Sequence, residues 1–211
     1  MPNWCVSEIY ICGDKKEAQT LMKKIQEFTS HNAKENDFGL QWLGNIVLNS
    51  GFKTTDEDSV NGFECRGNIL EYRILNSGEL RILTQTAYEQ MNKIWLTLIE
   101  KYAPHCKLHF IAEEPNHGVY EKYEDPSDST AFFDDIDYKL EFELNDLDLD
   151  EKEINLFQSL TEKTGWSTAE LLQKIRSFLG KNMTEEEMEN FFKGYDSIIF
   201  EKFRMLNKED V

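Results

Sequence analysis

The chain has 211 residues, of which 40% are hydrophobic and 12% aromatic, so it is long and apolar enough to bury a core without metal ions or disulfide bonds. Its formal net charge is −17, and such an acidic chain lacks the basic surface that binds nucleic-acid phosphates or anionic lipids. Neither a signal peptide nor a membrane-spanning apolar run is recognisable, so we expect a cytoplasmic protein without nucleic-acid or membrane partners.

The negative charge is concentrated in one segment. Residues 124–153 hold 13 acids and 2 bases, net −11, whereas residues 1–123 carry net −4 and residues 154–211 carry net −2. The 4 cysteines include no CxxC pair, and the 4 histidines form no zinc pattern with them. We therefore expect free, mostly buried thiols, no metal site and no cofactor.

The N-terminal part of the chain alternates strand and helix patterns. Residues 3–12 mix β-branched and aromatic residues, which predicts a strand. Asp14 and Glu17 then form a capping box, and apolar residues follow at helical spacing, which predicts a first helix. Residues 31–62 are rich in Asn, Asp, Gly and Ser, which indicates an irregular insertion with one extra turn or short strand.

A hairpin, a second helix and a fourth strand follow. Residues 63–74 and 79–86 read as two strands joined by a turn that contains Gly78. A helix is predicted over residues 87–102, before a proline, and a strand over residues 107–113. This βαββαβ order predicts an α+β fold: a ferredoxin-like antiparallel sheet with two helices on one face.

The C-terminal third changes in pattern. Residues 138–144 alternate in hydrophobicity and predict a strand at the sheet edge, so the first domain is expected to cover residues 1–144. Residues 145–211 are predicted to form an acidic linker and a small helical extension. Its helices are expected to start at three capping boxes: Asp150 with Glu153, Ser167 with Glu170, and Thr184 with Glu187.

Five short segments carry a resemblance. They are Met1–Cys5, Cys65–Ile69, Thr84–Tyr88, Ala112–Pro115 and Gly118–Tyr120. In this order and spacing they resemble the YubB ferredoxin-like domain family, over roughly residues 1–144. The departures are Ser7, Gln85, Tyr88 and Asn116, where the family is expected to have Asn, Glu, Trp and Gly. The resemblance implies a ferredoxin-like fold and residence on phages, plasmids and related mobile elements, in a family whose members generally lack an assigned activity.

Strand alternation collects titratable side chains on one face of the predicted sheet. If Ile9, Ile82 and Phe110 face the helices, the opposite face carries the candidate catalytic residues Glu8, Arg81, His109 and Glu113. Such a group could perform acid–base chemistry on a substrate in a surface pocket, if burial shifted its pKa values. The alternatives are a solvated face with ordinary cross-strand ion pairs, or a face packed under the C-terminal helices.

The acidic segment suggests a protein partner instead of a substrate. Dense carboxylates imitate a phosphate backbone, so a non-catalytic interaction module could dock on basic host surfaces. The candidate partner-binding residues are Asp134, Asp135, Asp137, Asp146, Asp148 and Asp150. The alternatives are a solvated linker and an enzyme of unknown reaction, although the common nucleotide-binding and hydrolase motifs are absent from the sequence.

Overall fold

The computed structural model divides the chain into two compact units. The first unit is Met1–Thr130 together with Met205–Val211, and the second is Ala131–Arg204. Both combine helices with strands, so the predicted α+β class is confirmed. The structure describes residues 3–30, 38–52, 63, 65–115, 118–128, 132–133, 136–142, 149–195, 198–206 and 208–211.

In the described part of the first unit, a six-stranded sheet forms the base of the fold. Its strands are β1 (Trp4–Cys12), β2 (Gly67–Ile74), β3 (Leu80–Ala87), β4 (Lys107–Glu114), β5 (Val119–Glu124) and the short β9 (Arg204–Met205), whose first residue is the last residue of the second unit. The strand order is β2-β3-β1-β4-β5-β9, and β1 pairs antiparallel with both β3 and β4. Asn3 to Cys12, predicted as a strand, therefore lies in the interior of the sheet. Strand β5 was not predicted.

Three helices pack on one face of this sheet: α1 (Lys15–Phe28), α2 (Leu43–Ser50) and α3 (Asn92–Tyr102). The Asp14 side chain caps α1 by accepting hydrogen bonds from the backbone of Lys16 and Glu17. The predicted capping box is only half formed, because the Glu17 carboxylate is engaged with His105. Helix α2 lies in the insertion, where a turn or short strand was predicted. Helix α3 starts five residues later than predicted, because Ala87 ends β3 and the next four residues form a loop.

The strand register shows which side chains face the helices. Ile9 lies opposite Ile82 on β3 and Phe110 on β4, and all three are buried. They belong to a core that includes Leu21 and Trp95 of the helices. Because side chains alternate along each strand, the residues at the intervening positions, such as Glu8, Arg81 and His109, point to the other side of the sheet. We call this side the second face. The predicted orientation of these strands is thus confirmed.

The second unit has its own sheet and its own core. Its elements are β6 (Tyr138–Phe142), α4 (Glu151–Leu160), β7 (Gly165–Trp166), α5 (Thr168–Leu179), α6 (Glu185–Lys193) and β8 (Ile198–Lys202). Strand order is β7-β6-β8, with both pairings antiparallel. The strand predicted at the edge of the first sheet is therefore central to a different one. The domain boundary expected after residue 144 therefore differs from the boundary between the two units, which lies after Thr130. The reason is that alternation predicts a strand without specifying its neighbours.

Candidate functional site

Two of the predicted catalytic residues form an ion pair on the second face. Glu8 of β1 contacts the guanidinium of Arg81 on β3, and Tyr10 donates a hydrogen bond of 2.5 Å to the same carboxylate. Glu71 of β2 adds a second acid at 3.5 Å from Arg81. Burial, followed by the hydrogen bond to Glu8, raises the pKa of Tyr10 to about 12. The phenol of Tyr10 therefore stays protonated at neutral pH, and the side chains form a cross-strand network.

His109 occupies a separate place on the same face. It lies opposite Tyr10 and is fully buried, with Nε2 at 3.2 Å from Oδ2 of Asp128. Burial lowers the pKa of this imidazole below its ordinary value, while the Asp128 carboxylate acts in the opposite direction. The side chain is thus held largely neutral near neutral pH.

Glu113 is remote from the other predicted catalytic residues along its strand. It lies opposite Val6 of β1 and Tyr120 of β5. Four residues separate it from His109, a distance of about 13 Å in a strand. The structure therefore joins Glu8 to Arg81 but does not gather the four candidates around one point.

Two of the candidate partner-binding acids have structural roles in the second unit. Asp137 accepts hydrogen bonds from the backbone and hydroxyl groups of Thr168, at 2.9 and 2.8 Å. Asp150 caps α4 in a complete capping box. The other four candidates, Asp134, Asp135, Asp146 and Asp148, lie outside the described residues.

The strand register brings the segments that carry the family resemblance together at one end of the first sheet. Trp4 pairs with Ala87, and Cys5 with Thr86, which also pairs with Gly67. Strand β4 lies on the other side of β1 and ends at Glu114. This residue pairs with Val119 of β5. We call this place the motif end, made of residues 3–7, 65–69, 84–92, 112–115 and 118–121. Segments that are far apart in the chain thus meet across five strands.

The motif end exposes two aromatic side chains. Trp4 is 41% exposed and Tyr88 is 46% exposed. The backbone amide of Tyr88 donates a 2.9 Å hydrogen bond to the Asn3 carbonyl, which joins the two segments. Tyr88 also has φ of 72°, a left-handed conformation that is costly for a residue with a β-carbon. A strained, half-exposed aromatic residue is a feature often found at functional sites.

The helix-facing side of the motif end is polar, unlike the rest of that side. Five polar or weakly polar side chains there are at least 99% buried: Cys5, Ser7, Thr84, Thr86 and Glu114. Burial, with the nearby carboxylates of Glu121 and Glu114 adding to it, raises the pKa of the Cys5 thiol to about 11. This thiol is therefore protonated at neutral pH and is a poor nucleophile.

Sequence reasoning missed the motif end as a site, although the signal was present. The conspicuous polar groups of β1, β3 and β4 directed attention to the second face, and single strands do not reveal which ends meet. The segments quoted for the family resemblance already contained Trp4, Cys5, Thr86, Tyr88 and Glu114. Only the strand register shows that these residues lie close together.

Three further findings concern metal ligands, membrane-spanning helices and similarity to known proteins. Among the described residues, no group of three or more histidine, cysteine, aspartate or glutamate side chains could hold a metal ion. No helix in the described ranges is long and apolar enough to cross a membrane. Comparisons with protein families, curated proteins and solved structures give no match to this chain.

Proposed function

We propose that this protein is a non-catalytic interaction module that docks on the basic surface of a partner protein. The observation that carries the proposal is the motif end, where the half-exposed rings of Trp4 and Tyr88 lie at neighbouring strand ends that are joined by the hydrogen bond from the Tyr88 amide to the Asn3 carbonyl. Aromatic rings and carboxylates are the groups that receive Lys and Arg side chains, by cation–π contacts and charged hydrogen bonds. The chain's net charge of −17 has the matching sign.

The acidic segment supports the same proposal at longer range. Residues 124–153 carry net −11, which attracts a basic partner before contact and accelerates association. Asp137 and Asp150 are engaged in hydrogen bonds within the second unit. The acids that remain as proposed docking groups are therefore Asp134, Asp135, Asp146 and Asp148.

The family resemblance contributes the proposed fold and setting. We assign the first unit to the ferredoxin-like class, because β1–α1–β2–β3–α3–β4 with strand order β2-β3-β1-β4 follows the split βαβ scheme. Residence on a bacterial mobile element rests on the resemblance alone. Four free, buried cysteines support a reducing, cytoplasmic compartment as part of the proposal.

The test of the acidic segment is a charge-matched pair of variants. One carries Asp134→Asn, Asp135→Asn, Asp146→Asn and Asp148→Asn. The other neutralises four exposed acids elsewhere: Glu100→Gln, Glu186→Gln, Glu201→Gln and Glu209→Gln. Basic proteins captured from a bacterial lysate and identified by mass spectrometry should be retained by the wild type and the second variant, and lost from the first. Equal retention by both variants would remove the segment from the proposal.

The test of the motif end uses two exposed apolar side chains in different units. Trp4→Ser should abolish capture of the same basic proteins, whereas Ile199→Ser, a change at a 44% exposed position on β8, should leave capture unchanged. Circular dichroism of both variants checks that the fold is retained. Capture that survives Trp4→Ser would show that the contact surface lies elsewhere.

An enzyme that acts on the second face is the second candidate function. It is favoured by the His109–Asp128 pair, since a carboxylate beside an imidazole orients and strengthens a general base. It takes second place because His109 is fully buried and Glu113 is remote from it. A small molecule that shifts the His109 ring resonances in NMR spectra would move this candidate to first place.

A further inference from the structure

Strand β2 lies at one edge of the six-stranded sheet, and part of its outer side is open. In the sheet order, β3 is its only neighbouring strand among the described residues. On the other side, Trp42 bridges to Asn68, and the Ile69 amide donates a 2.9 Å hydrogen bond to the Gln41 carbonyl. Within the described ranges, no bridge continues along residues 70–74, so this part of β2 is an unpaired edge.

The register shows which backbone groups of this edge point outward. The Leu75 amide donates a 2.9 Å hydrogen bond to the Glu79 carbonyl, so this pair is hydrogen-bonded across the hairpin. In an antiparallel ladder, hydrogen-bonded and non-hydrogen-bonded pairs alternate. Arg73 therefore also bonds to β3, whereas the N–H and C=O groups of Tyr72 and Ile74 point to solvent. A further strand can pair with these groups.

The open edge lacks two of the features that usually protect an exposed strand from pairing with another chain. Residues 70–74 contain neither proline nor lysine, and Leu70 is half exposed. A β-bulge, which is a third such feature, interrupts the register between Ile69 and Glu71. It lies next to the Trp42 bridge, so the ladder is regular from Glu71 onward and a strand can be added there.

Two charged side chains of the edge point to the second face of the sheet. Tyr72 and Ile74 pack against the core, so the alternate residues Glu71 and Arg73 point away from the helices, and both are exposed. Along their own strand, Nε of Arg73 lies 3.3 Å from Oε1 of Glu71. An exposed pair of this kind contributes little to stability, so it can rearrange to face another strand at little cost. The edge thus presents one acid and one base, on either side of Tyr72.

Self-pairing of β2 suits these charges in one antiparallel register. A two-fold axis makes every contact reciprocal, and hydrogen bonds form only between outward-pointing residues, so the axis passes through a residue of the strand. With the axis at Tyr72, the two copies of this residue form a hydrogen-bonded pair, and Glu71 of each copy faces Arg73 of the other in the closer, non-hydrogen-bonded position. With the axis at Glu71 or Arg73, identical charges would face each other.

We propose that the edge of β2 binds a second copy of this chain, with the two strands antiparallel about Tyr72. The two sheets then continue into one another through β2, a symmetric form of strand addition at a sheet edge. Backbone hydrogen bonds of Tyr72 hold the strands together, and the two reciprocal Glu71–Arg73 pairs select the register. Because the paired segment is short, the dimer forms reversibly. Residues 70–74 lie outside the motif end, so the inference is independent of the proposed function.

Charge reversal tests the register. Sedimentation equilibrium should show dimers of the wild type whose proportion rises with concentration. Glu71→Arg and Arg73→Glu each give both positions the same charge, so either homodimer would contain two like-charged pairs and its dissociation constant should rise by about tenfold or more. An equal mixture of the two single variants should form a heterodimer, because opposite charges again face each other. For the same reason, the double variant Glu71→Arg with Arg73→Glu should dimerise as the wild type does.

Glu100→Arg is the matched control, since it makes the same charge change as Glu71→Arg at an exposed position of α3 and should leave dimerisation unchanged. Circular dichroism checks that every variant is folded. A wild type that stays monomeric at millimolar concentration, or folded single variants that dimerise as strongly as the wild type, would refute the proposal. A mixture of the folded single variants without heterodimers would refute it as well.

A second measurement uses the unaltered chain. Amide hydrogen exchange is followed by NMR at low and high protein concentration. The outward-pointing amide of Tyr72 should exchange about tenfold more slowly, or slower still, in the dimer, whereas the amide of Arg73, which is bonded to β3, should be protected equally at both concentrations. Dimers in which the Tyr72 amide exchanges as fast as in the monomer would place the contact on another surface and overturn the proposal.

Discussion

At the scale of single residues, Tyr88 combines strain with exposure. Its φ of 72° lies in the left-handed region, and its ring is half exposed, so packing in a core does not explain why a tyrosine stands there. The hydrogen bond from its amide to the Asn3 carbonyl holds the turn in this conformation. A glycine would adopt the same backbone without the steric cost, which separates the role of the backbone from that of the ring.

We predict that Tyr88→Gly is more stable than Tyr88→Ala by about 1 kcal/mol, because both remove the ring and only alanine keeps the strained β-carbon. The free energies of unfolding are measured by urea denaturation. Both variants should capture less of the basic partner than the wild type. Equal stability of the two variants would show that the left-handed conformation is not strained.

His105 and Glu17 form an exposed pair that should make stability depend on pH. Nδ1 of His105 lies 2.6 Å from Oε1 of Glu17, and the hydrogen bond to this carboxylate raises the pKa of the imidazole. The hydrogen bonds from His105 lower the pKa of Glu17. Both residues of the pair are therefore charged at pH values between the ordinary pKa values of glutamate and histidine, about 4.3 and 6.5.

The sign of the effect follows from the direction of each shift. Because the folded pKa of His105 is raised, its stabilisation is complete below the unfolded pKa and is lost as the pH rises through the folded one. We predict that His105→Gln lowers the melting temperature at about pH 5.5 and has no effect at about pH 8.5. Thermal unfolding at the two pH values checks this. An equal loss at both would assign the effect to packing.

At the scale of elements, helix starts differ in how locally they are determined. In the second unit, α4, α5 and α6 begin after Asp150, Ser167 and Thr184, and each forms a complete capping box. The cap and its glutamate are three residues apart, so the signal is readable from the sequence. By contrast, Met91 precedes α3 without a side-chain cap, and that helix was predicted to start five residues too early.

The capping role of Ser167, which precedes α5, can be tested by comparison with Ser177, which lies inside the helix. Ser167→Ala removes the acceptor for the Glu170 amide and should cost about 1 kcal/mol of unfolding free energy. Ser177→Ala, inside the helix, removes only a hydroxyl that donates to the Gln173 carbonyl and should be close to neutral. Chemical denaturation of the two variants compares them. A loss of similar size for both would contradict the capping role of Ser167.

At the scale of the whole molecule, the chain carries two cores. Ile9, Trp95 and Phe110 belong to the core of the first unit, whereas Tyr138 and Phe157 belong to that of the second. Each core lies between a sheet and the helices of its own unit. A compact unit with its own core is expected to open as a cooperative unit.

Large-to-small changes in the two cores should therefore act locally. Phe157→Ala should destabilise the second unit by roughly 3–5 kcal/mol and remove hydrogen-exchange protection from α4, α5 and α6. The reciprocal change, Phe110→Ala, should remove protection from β1, β3 and β4 instead. Hydrogen exchange with mass spectrometry resolves both patterns. Loss of protection in both units from either change would show that the chain unfolds as one body.

By itself, the sequence determined the features that depend on near neighbours. Alternation identified β1, β3 and β4 and which of their faces meets the helices, and capping residues marked the starts of α1, α4, α5 and α6. It also determined the excess negative charge and its concentration in residues 124–153. These properties have periods or spacings of a few residues, so no tertiary contact is needed to recognise them.

Only the tertiary structure decided which distant segments meet. Alternation predicted the strand near residue 138 correctly but gave it the wrong sheet, because a period of two residues specifies a face and not a neighbouring strand. The contact between Gln90 and Glu121 likewise joins residues that are 31 positions apart. The motif end exists because the register places the ends of five strands side by side, and register depends on long-range pairing.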